Sequence, residues 1–146
     1  MILPLTPIRC LYRGVDLYGH KTGIVSGDRR FTYREFGERC ERLAYGLQAA
    51  GAQPGDRVAF LSFNNNELIE GYFGVPLAGC VVMPLNVRLT TTELIGILNH
   101  ASTRVLVYEP DFAPLVAKFR EACPSIERYV EIGSEYEELL SHGRLP

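Results

Sequence analysis

The sequence has little net charge and no long hydrophobic run. Its 15 Lys and Arg residues against 17 Asp and Glu residues leave a formal charge of −2, which gives no indication of a nucleic-acid or other polyanionic partner. No apolar segment approaches the roughly 20 residues that span a bilayer, so we expect no transmembrane segment. The first ten residues, MILPLTPIRC, lack the basic start and the long apolar stretch of a signal peptide, and we therefore expect a cytoplasmic protein.

Cysteine and histidine are scattered. The four cysteines form no Cys-x-x-Cys pair and lie at Cys10, Cys40, Cys80 and Cys123. This spacing favours free thiols in a reducing compartment over disulfides or metal ligation. The three histidines have no Cys or carboxylate at ligand spacing and are expected at the surface or near helix ends: His20, His100 and His142.

The short motifs of nucleotide binding and nucleophilic catalysis are missing. The chain has no Gly-x-Gly-x-x-Gly after a strand, no Gly-x-x-x-x-Gly-Lys-Ser/Thr and no Gly-x-Ser-x-Gly. Its densest charge run alternates acidic with basic residues and is interpreted as the solvated face of a helix: Arg34, Glu35, Glu38, Arg39, Glu41 and Arg42. Composition and spacing alone therefore indicate an α/β domain of ordinary polarity without a complete active site.

The segment from Arg57 to Leu89 predicts a strand, a helix and a second strand. Residues 58–61 and 81–83 are short apolar runs, typical of strands covered on both faces. Between them, Asn64 is placed to begin a helix and Gly79 to end it. Such a unit pairs its strands in parallel, and the polar loop of residues 84–89 then lies at a carboxyl end, where open α/β sheets bind ligands.

The remaining segments extend this pattern on both sides. Before it we predict a helix from Thr6-Pro7, a hairpin around Gly27-Asp28, and a helix that begins with the capping box of Thr32 and Glu35. After it we predict a helix with a second capping box at Thr90 and Glu93. Three elements follow that helix: strands at 104–108 and 127–132, with a helix capped by Asp111 between them. The last predicted helix covers 134–140, and 141–146 are interpreted as a cut or linker. The fold class is thus α/β, an open parallel doubly wound sheet with flanking helices, preceded by a short β-hairpin.

Two features of the central helix need separate expectations. Pro76 lies within it, so the helix is expected either to bend toward Gly79 or to end early. Tyr72 and Phe73 are candidates for an acyl pocket, but aromatic residues at helical spacing are more often core, and we predict that both are buried.

Four segments closely resemble the N-terminal region of the adenylate-forming superfamily. They are residues 31–36 (FTYREF), 43–47 (LAYGL), 51–59 (GAQPGDRVA) and 78–89 (AGCVVMPLNVRL). The resemblance covers roughly Leu3 to Leu140, and the Pro-Leu-Asn-x-Arg-Leu pattern followed by ILNHASTRVLV is most similar to fatty-acid and medium-chain acyl-CoA ligases. The order and spacing of the segments, rather than a catalytic signature, identify the family.

The resemblance implies an acid–thiol ligase that forms an acyl-adenylate from ATP and a carboxylic acid, a fatty acid in this subgroup, and then transfers the acyl group to CoA. It also implies ATP, Mg²⁺ and CoA as cofactors of a full-length enzyme. The family's Ser/Thr/Gly-rich loop ending in Lys-Gly, its Thr-Glu pair, its ribose-binding Asp and its C-terminal Lys have no counterpart in this sequence. We therefore expect residues 1–146 to be the N-terminal portion of a larger domain, inactive alone, with no cofactor bound tightly.

Two residues of this chain match a family position near the nucleotide phosphate of CoA. Arg88 stands at the arginine of the Asn-x-Arg-Leu loop, with Asn86 beside it. A guanidinium offers a planar fork suited to phosphate. The alternative is that Arg88 is a solvated loop residue and that Asn86 bonds its own backbone in a turn. No catalytic and no metal-binding residue is assigned.

A different class of protein also fits the composition. The chain is alternatively a stand-alone, non-catalytic, flavodoxin-like binding or regulatory module. A ligase portion predicts exposed apolar surface, with possible self-association through the sheet, whereas a self-sufficient module predicts polar outer edges.

Overall fold

The computed structural model describes residues 5–143. Its helices are α1 (Pro7–Tyr18), α2 (Tyr33–Ala49), α3 (Asn66–Leu77), α4 (Thr91–His100), α5 (Ala113–Ala122) and α6 (Ser134–His142), and one turn of 3₁₀ helix covers Pro110–Phe112. Its strands are β1 (Thr22–Ser26), β2 (Arg29–Thr32), β3 (Arg57–Leu61), β4 (Val81–Pro84), β5 (Val105–Tyr108) and β6 (Arg128–Glu131).

The four later strands form one parallel sheet in the order β4-β3-β5-β6, and β1 and β2 form a separate antiparallel hairpin. In the sheet, Val58 of β3 lies beside Val82 of β4 and Val105 of β5. The predicted fold class is therefore confirmed. The chain leaves β3 toward β4 and then returns to the other side of β3, so the direction of winding changes between β3 and β5.

Successive residues of β3 face opposite layers, which explains the apolar run from Val58 to Leu61. Val58 and Phe60 pack in the core beneath α2, α3 and α6. Ala59 and Leu61 pack in a second core beneath α4 and α5. All four side chains are buried, as the prediction of a strand covered on both faces requires.

The predicted capping boxes are confirmed. Thr32 accepts a hydrogen bond from the Glu35 backbone N–H at 3.2 Å, and the Glu35 carboxylate accepts one from the Thr32 N–H at 2.7 Å. Thr90 and Glu93 repeat the arrangement at α4. Thr6 caps α1 as predicted.

Two predicted helix starts are wrong. The cap of α3 is Asn65 rather than Asn64: its backbone is extended, and its side-chain oxygen accepts from the Leu68 N–H at 2.8 Å. Asp111 does not cap α5, because Pro110 opens a 3₁₀ turn that contains Asp111, and α5 begins after this turn without a side-chain cap.

The end of α3 resolves the question of Pro76. The helix continues through Pro76 to Leu77 and closes with Ala78 as its cap and Gly79 directly beyond it, so it ends at the glycine that the sequence indicated and not early. Gly79 then adopts φ +80°, its N–H donates to the Pro76 carbonyl, and the Cys80 N–H donates to the Val75 carbonyl. This Schellman motif satisfies the last carbonyls of the helix and needs glycine at the left-handed position.

The solvated-face interpretation is wrong for Arg39. Its guanidinium donates from Nε to Glu70 Oε1 at 2.6 Å and makes two bonds to the Glu137 carboxylate. Only 15% of the Arg39 side chain is exposed, and that of Glu70 is fully buried. The Tyr136 hydroxyl donates to the same Glu70 carboxylate at 2.8 Å, so one buried ionic cluster joins α2, α3 and α6.

The burial predicted for Tyr72 is also wrong. Tyr72 is 41% exposed, whereas Phe73 is partly buried and meets Phe36 edge to face with ring centroids 5.7 Å apart. Helical spacing gave the same expectation for both residues, but they lie on different sides of α3.

The C-terminal helix is longer than predicted. α6 runs to His142, into the segment interpreted as a linker, and residues 144–146 of that segment lie outside the described part of the chain. Leu3, where the resemblance begins, also lies outside it. Among residues 5–143, no helix is both long enough and apolar enough to cross a bilayer.

Candidate functional site

The loop after β4 is held by backbone bonds on both sides. The Leu85 N–H donates to the Phe60 carbonyl at 2.9 Å, which continues the sheet one residue beyond β4. Asn86 Oδ1 then accepts from the Arg88 N–H at 3.0 Å, and the Leu89 N–H donates to the Asn86 carbonyl. Asn86 therefore makes the turn that the alternative interpretation predicted, because an Asn side chain readily bonds the backbone two residues on.

Arg88 is exposed at the tip of this turn. Within the described residues its guanidinium has no hydrogen-bond or ion-pair partner. The flanking Val87 and Leu89 pack against the core beneath α4 and α5, which anchors the loop on either side. The structure thus places an unpaired cation at the carboxyl edge of the sheet and uses Asn86 to shape the turn beneath it.

A second polar group lies where the winding changes direction, at the carboxyl ends of β3 and β5. Glu109 Oε1 accepts hydrogen bonds from the Asn65 amide at 2.7 Å, the Phe63 N–H at 3.0 Å and the Ser62 hydroxyl at 3.1 Å. The carboxylate thereby ties the first residue after β5 to the loop between β3 and α3. Charge-assisted bonds of this kind are the stronger class, so the loop and the cap of α3 are held as one unit.

Sequence reasoning missed Glu109. The signal available was its place directly after the apolar run of β5, since the carboxyl ends of neighbouring parallel strands meet at one edge. Its partners are 44 to 47 residues away in the chain, so no local pattern shows them.

Two aromatic rings border this polar group. Phe63 and Phe112 lie with ring centroids 5.1 Å apart, and Phe63 is 47% exposed. The carboxyl edge therefore combines apolar rings, a fixed carboxylate and the Arg88 guanidinium, which are groups that contact ligands rather than groups that attack them.

The described residues contain no arrangement of a nucleophile and a base at this edge. All four cysteines lie in the described part of the chain and none is joined to another. Burial raises the pKa of the thiols of Cys40, Cys80 and Cys123, which favours the unreactive thiol form. Among residues 5–143, no three His, Cys, Asp or Glu side chains gather as a metal site.

A groove between α2 and α6 is one of several concavities among residues 5–143. It has a volume of about 410 Å³, and its lining includes Phe31, Glu38, Arg39 and Glu137. None of its lining residues belongs to a loop that follows a strand of the parallel sheet. Arg39 and Glu137 already pair within it, so its charges serve the packing of α6.

Comparison with known proteins places almost the whole chain in one family. The sequence profile of AMP-binding enzymes matches residues 11–144. The chain is 40% identical over 124 residues to a long-chain-fatty-acid–CoA ligase of Thermus thermophilus, covering 82% of this chain and 23% of that protein. It is 35% identical over 125 residues to a peroxisomal butyrate–CoA ligase of Arabidopsis thaliana, covering 86% of this chain and 22% of that protein.

Solved structures show the same fold. The N-terminal domain of FACL13 from Mycobacterium tuberculosis superposes with a TM-score of 0.86 at 26% identity, over 92% of this chain and 35% of that one. An anthranilate CoA ligase superposes with a TM-score of 0.89 at 24% identity, over 97% of this chain and 28% of that one. The chain thus spans about a fifth of the length of the two curated relatives and about a third of the FACL13 N-terminal domain.

Proposed function

Because the chain belongs to the family of AMP-binding enzymes, we propose that it is the N-terminal portion of an AMP-forming acyl-CoA ligase. The observation behind this proposal is that two relatives named as CoA ligases match most of this chain. The matched segment is only a small part of each relative's own length. The proposed reaction of the longer protein joins a carboxylic acid, a fatty acid in the first instance, to CoA through an acyl-adenylate. ATP supplies the adenylate, and pyrophosphate leaves as the acyl-adenylate forms. The CoA thiol then displaces AMP to give the thioester.

We propose that the 146-residue chain is inactive by itself. Phosphoryl chemistry on ATP depends on groups that hold the phosphates and Mg²⁺ while charge moves between oxygens. The described residues do not gather metal ligands, and the sequence contains no Ser/Thr/Gly-rich loop ending in Lys-Gly. These residues therefore do not fit Mg²⁺, and no step through the metal is assigned to this chain. Its proposed part in the enzyme is to form the sheet and its carboxyl edge.

Within that part, we propose that Arg88 contacts the nucleotide phosphate of CoA. The guanidinium is exposed and has no protein partner among the described residues, so a phosphate meets no competing carboxylate. Its planar fork suits two phosphate oxygens at once. Asn86 contributes by fixing the turn, because its side-chain oxygen is engaged by the Arg88 N–H.

A cytoplasmic location belongs to the same proposal. The support for it is the free state of all four cysteines, which suits a reducing compartment.

Pyrophosphate release tests the proposed function directly. The chain alone, incubated with ATP, Mg²⁺ and fatty acids of several lengths, is expected to release no more pyrophosphate than a blank. A fusion of the whole chain to the part of the Thermus thermophilus ligase that follows the matched segment is expected to release pyrophosphate and, with CoA, to form acyl-CoA. Release by the chain alone would overturn the claim of inactivity, and a folded fusion that forms no acyl-adenylate would overturn the assignment as a ligase.

A further inference from the structure

The outward face of α3 is apolar along its length. Ile69, Tyr72 and Pro76 recur at spacings of three and four residues and therefore share one side of the helix. Ile69 is 36% exposed, Tyr72 is 41% exposed, and Pro76 is partly exposed. The buried side of the helix packs onto the core through Leu68 and Val75.

The two charges of α3 point inward instead of toward solvent. Glu67 is 5% exposed and pairs with Arg29 at 2.8 Å, and the fully buried Glu70 pairs with Arg39. A surface helix ordinarily places its charged residues outward and its apolar residues inward. In α3 no charged side chain is left for the outer face, which is the pattern of a helix with a second layer above it.

The exposed tyrosine of α2 has different neighbours. Tyr45 is 38% exposed, close to the value for Tyr72, but its helix carries the polar residues Glu41, Arg42 and Gln48 around it. A single exposed aromatic residue among polar ones is normal on a monomer and indicates no partner. The comparison separates the face of α3 from ordinary exposed apolar residues.

We propose that the face formed by Ile69, Tyr72 and Pro76 packs against the remaining part of the large domain. That part is the portion of the longer relatives that lies outside the segment matched by this chain. This inference rests on the proposed function. The FACL13 N-terminal domain matches 92% of this chain, yet the chain covers only 35% of that domain. About two-thirds of such a domain lies outside the match and must pack against the matched part. The occupant is therefore an apolar layer of the same ligase, not a separate binding protein.

The proposal also assigns Glu67 and Glu70 a reason to lie inward. If α3 lies between two layers, an outward carboxylate would lose its hydration without gaining a partner. Pairing with Arg29 and Arg39 holds both carboxylates on the inner side and leaves an uncharged face for the second layer.

Covalent footprinting of tyrosine tests the proposal without altering the fold. In the 146-residue chain at low concentration, Tyr72 and Tyr45 are expected to be labelled at similar rates. In the fusion to the remaining part of the Thermus thermophilus ligase, labelling of Tyr72 is expected to fall several-fold while Tyr45 keeps its rate. The same labelling, repeated on the chain mixed with the separate remaining part, provides a second measurement.

A matched pair of substitutions adds a stability readout. Tyr72→Glu and Tyr45→Glu are each expected to leave the unfolding midpoint of the chain alone almost unchanged, since both side chains are exposed. In the fusion, Tyr72→Glu is expected to lower the midpoint and Tyr45→Glu is not.

The outcomes distinguish this proposal from the proposed function. An active fusion in which Tyr72 stays fully reactive would overturn the proposed packing on α3 and leave the ligase assignment unaffected. A folded fusion that protects Tyr72 but forms no acyl-adenylate would support the proposed packing on α3 and count against the ligase assignment. Protection of Tyr72 in the chain alone, together with a dimer in sedimentation at the same concentration, would make a second copy the occupant and overturn the proposal.

Discussion

Arg39 on α2 and Glu70 on α3 form a buried ion pair, with Nε and Oε1 only 2.6 Å apart. Glu70 also accepts from the Asn66 amide at 2.9 Å and from the Tyr136 hydroxyl at 2.8 Å. Arg39 in turn holds the Glu137 carboxylate with two bonds. Three helices from distant parts of the sequence therefore meet at one carboxylate whose acceptor sites are occupied. The negative charge at Glu70 and burial both raise the pKa of the Tyr136 phenol, with burial the larger cause.

Removal of Arg39 is expected to destabilise the chain strongly. Arg39→Met leaves the charge of Glu70 buried without a counter-ion, which typically costs about 3–5 kcal/mol. Urea unfolding of the variant checks the value. Arg42→Met, one turn of α2 away at an exposed position, is the matched control and is expected to stay within about 0.5 kcal/mol of the parent. Equal stability of the two variants would show that the cluster contributes little.

Acid stability is expected to depend on Glu137. Its two bonds from Arg39 lower the pKa of its carboxyl, against a smaller opposing effect of partial burial. The pKa in the folded state thus lies below the unfolded value of about 4.3, so the contribution is complete above that pH. It is lost as the pH falls through the folded pKa. Unfolding free energy measured between about pH 7 and 3 should decline less steeply in Glu137→Gln. Glu121→Gln, at an exposed site on α5, should keep the parental slope.

Two glycines within helices are expected to respond in opposite directions to alanine. A Cβ at Gly74 would lie 2.8 Å from the Cys40 carbonyl oxygen and from Leu43 Cδ2, because α2 and α3 approach closely there. Gly74→Ala should therefore cost about 1–3 kcal/mol. Gly96 on α4 has open space at its Cβ position, and Gly96→Ala should gain up to about 1 kcal/mol from helix propensity. Thermal unfolding of both variants checks the signs, and stabilisation by Gly74→Ala would contradict the close helix contact.

Loss of either cap hydroxyl is expected to weaken its helix. Thr32→Ala and Thr90→Ala each remove the acceptor for a backbone N–H at the third helical position, at a cost of about 1 kcal/mol. Thr92→Ala, an exposed position inside the first turn of α4, is the control and should be neutral or slightly stabilising. Chemical denaturation resolves the difference. A Thr32→Ala protein as stable as the control would mean that the capping box at α2 contributes nothing.

In the fusion with the remainder of the Thermus thermophilus ligase, Arg88→Ala is expected to raise the KM for CoA by about tenfold or more, since a hydrogen bond to a charged group contributes about 1.5–3 kcal/mol. The KM for ATP and the rate of adenylate formation should change little. Arg88→Lys keeps the charge without the planar fork, and its KM for CoA should lie between that of the parent and that of Arg88→Ala. Arg30→Ala on the exposed hairpin is the control. An unchanged KM for CoA would remove Arg88 from the phosphate contact.

The candidate site was predictable only in part. The position of Arg88 after a buried strand follows from the sequence, because strand and loop are contiguous. The turn made by Asn86 was one of two alternatives and follows from its own chemistry. Glu109 was not predicted, because its partners Ser62 and Asn65 come within hydrogen-bond distance only when β3 and β5 lie side by side. The choice of Asn65 over Asn64 as cap depended on the place where β3 ends, which local spacing leaves uncertain by a residue.

The sequence by itself determined which helices and strands form and several of their ends. Capping boxes, the Schellman glycine and the apolar strand runs act between residues at most five apart, so each was present in the sequence before any folding was considered. Tertiary structure alone decided the strand order β4-β3-β5-β6, the inward turn of Arg39 and the exposure of Tyr72. Arg39 and Glu70 are 31 residues apart in the sequence. Helical periodicity shows which residues share a side of a helix, but it does not show what packs against that side. Burial of a charge or exposure of an aromatic ring depends on which layer covers that side of the helix, and no local sequence pattern indicates that layer.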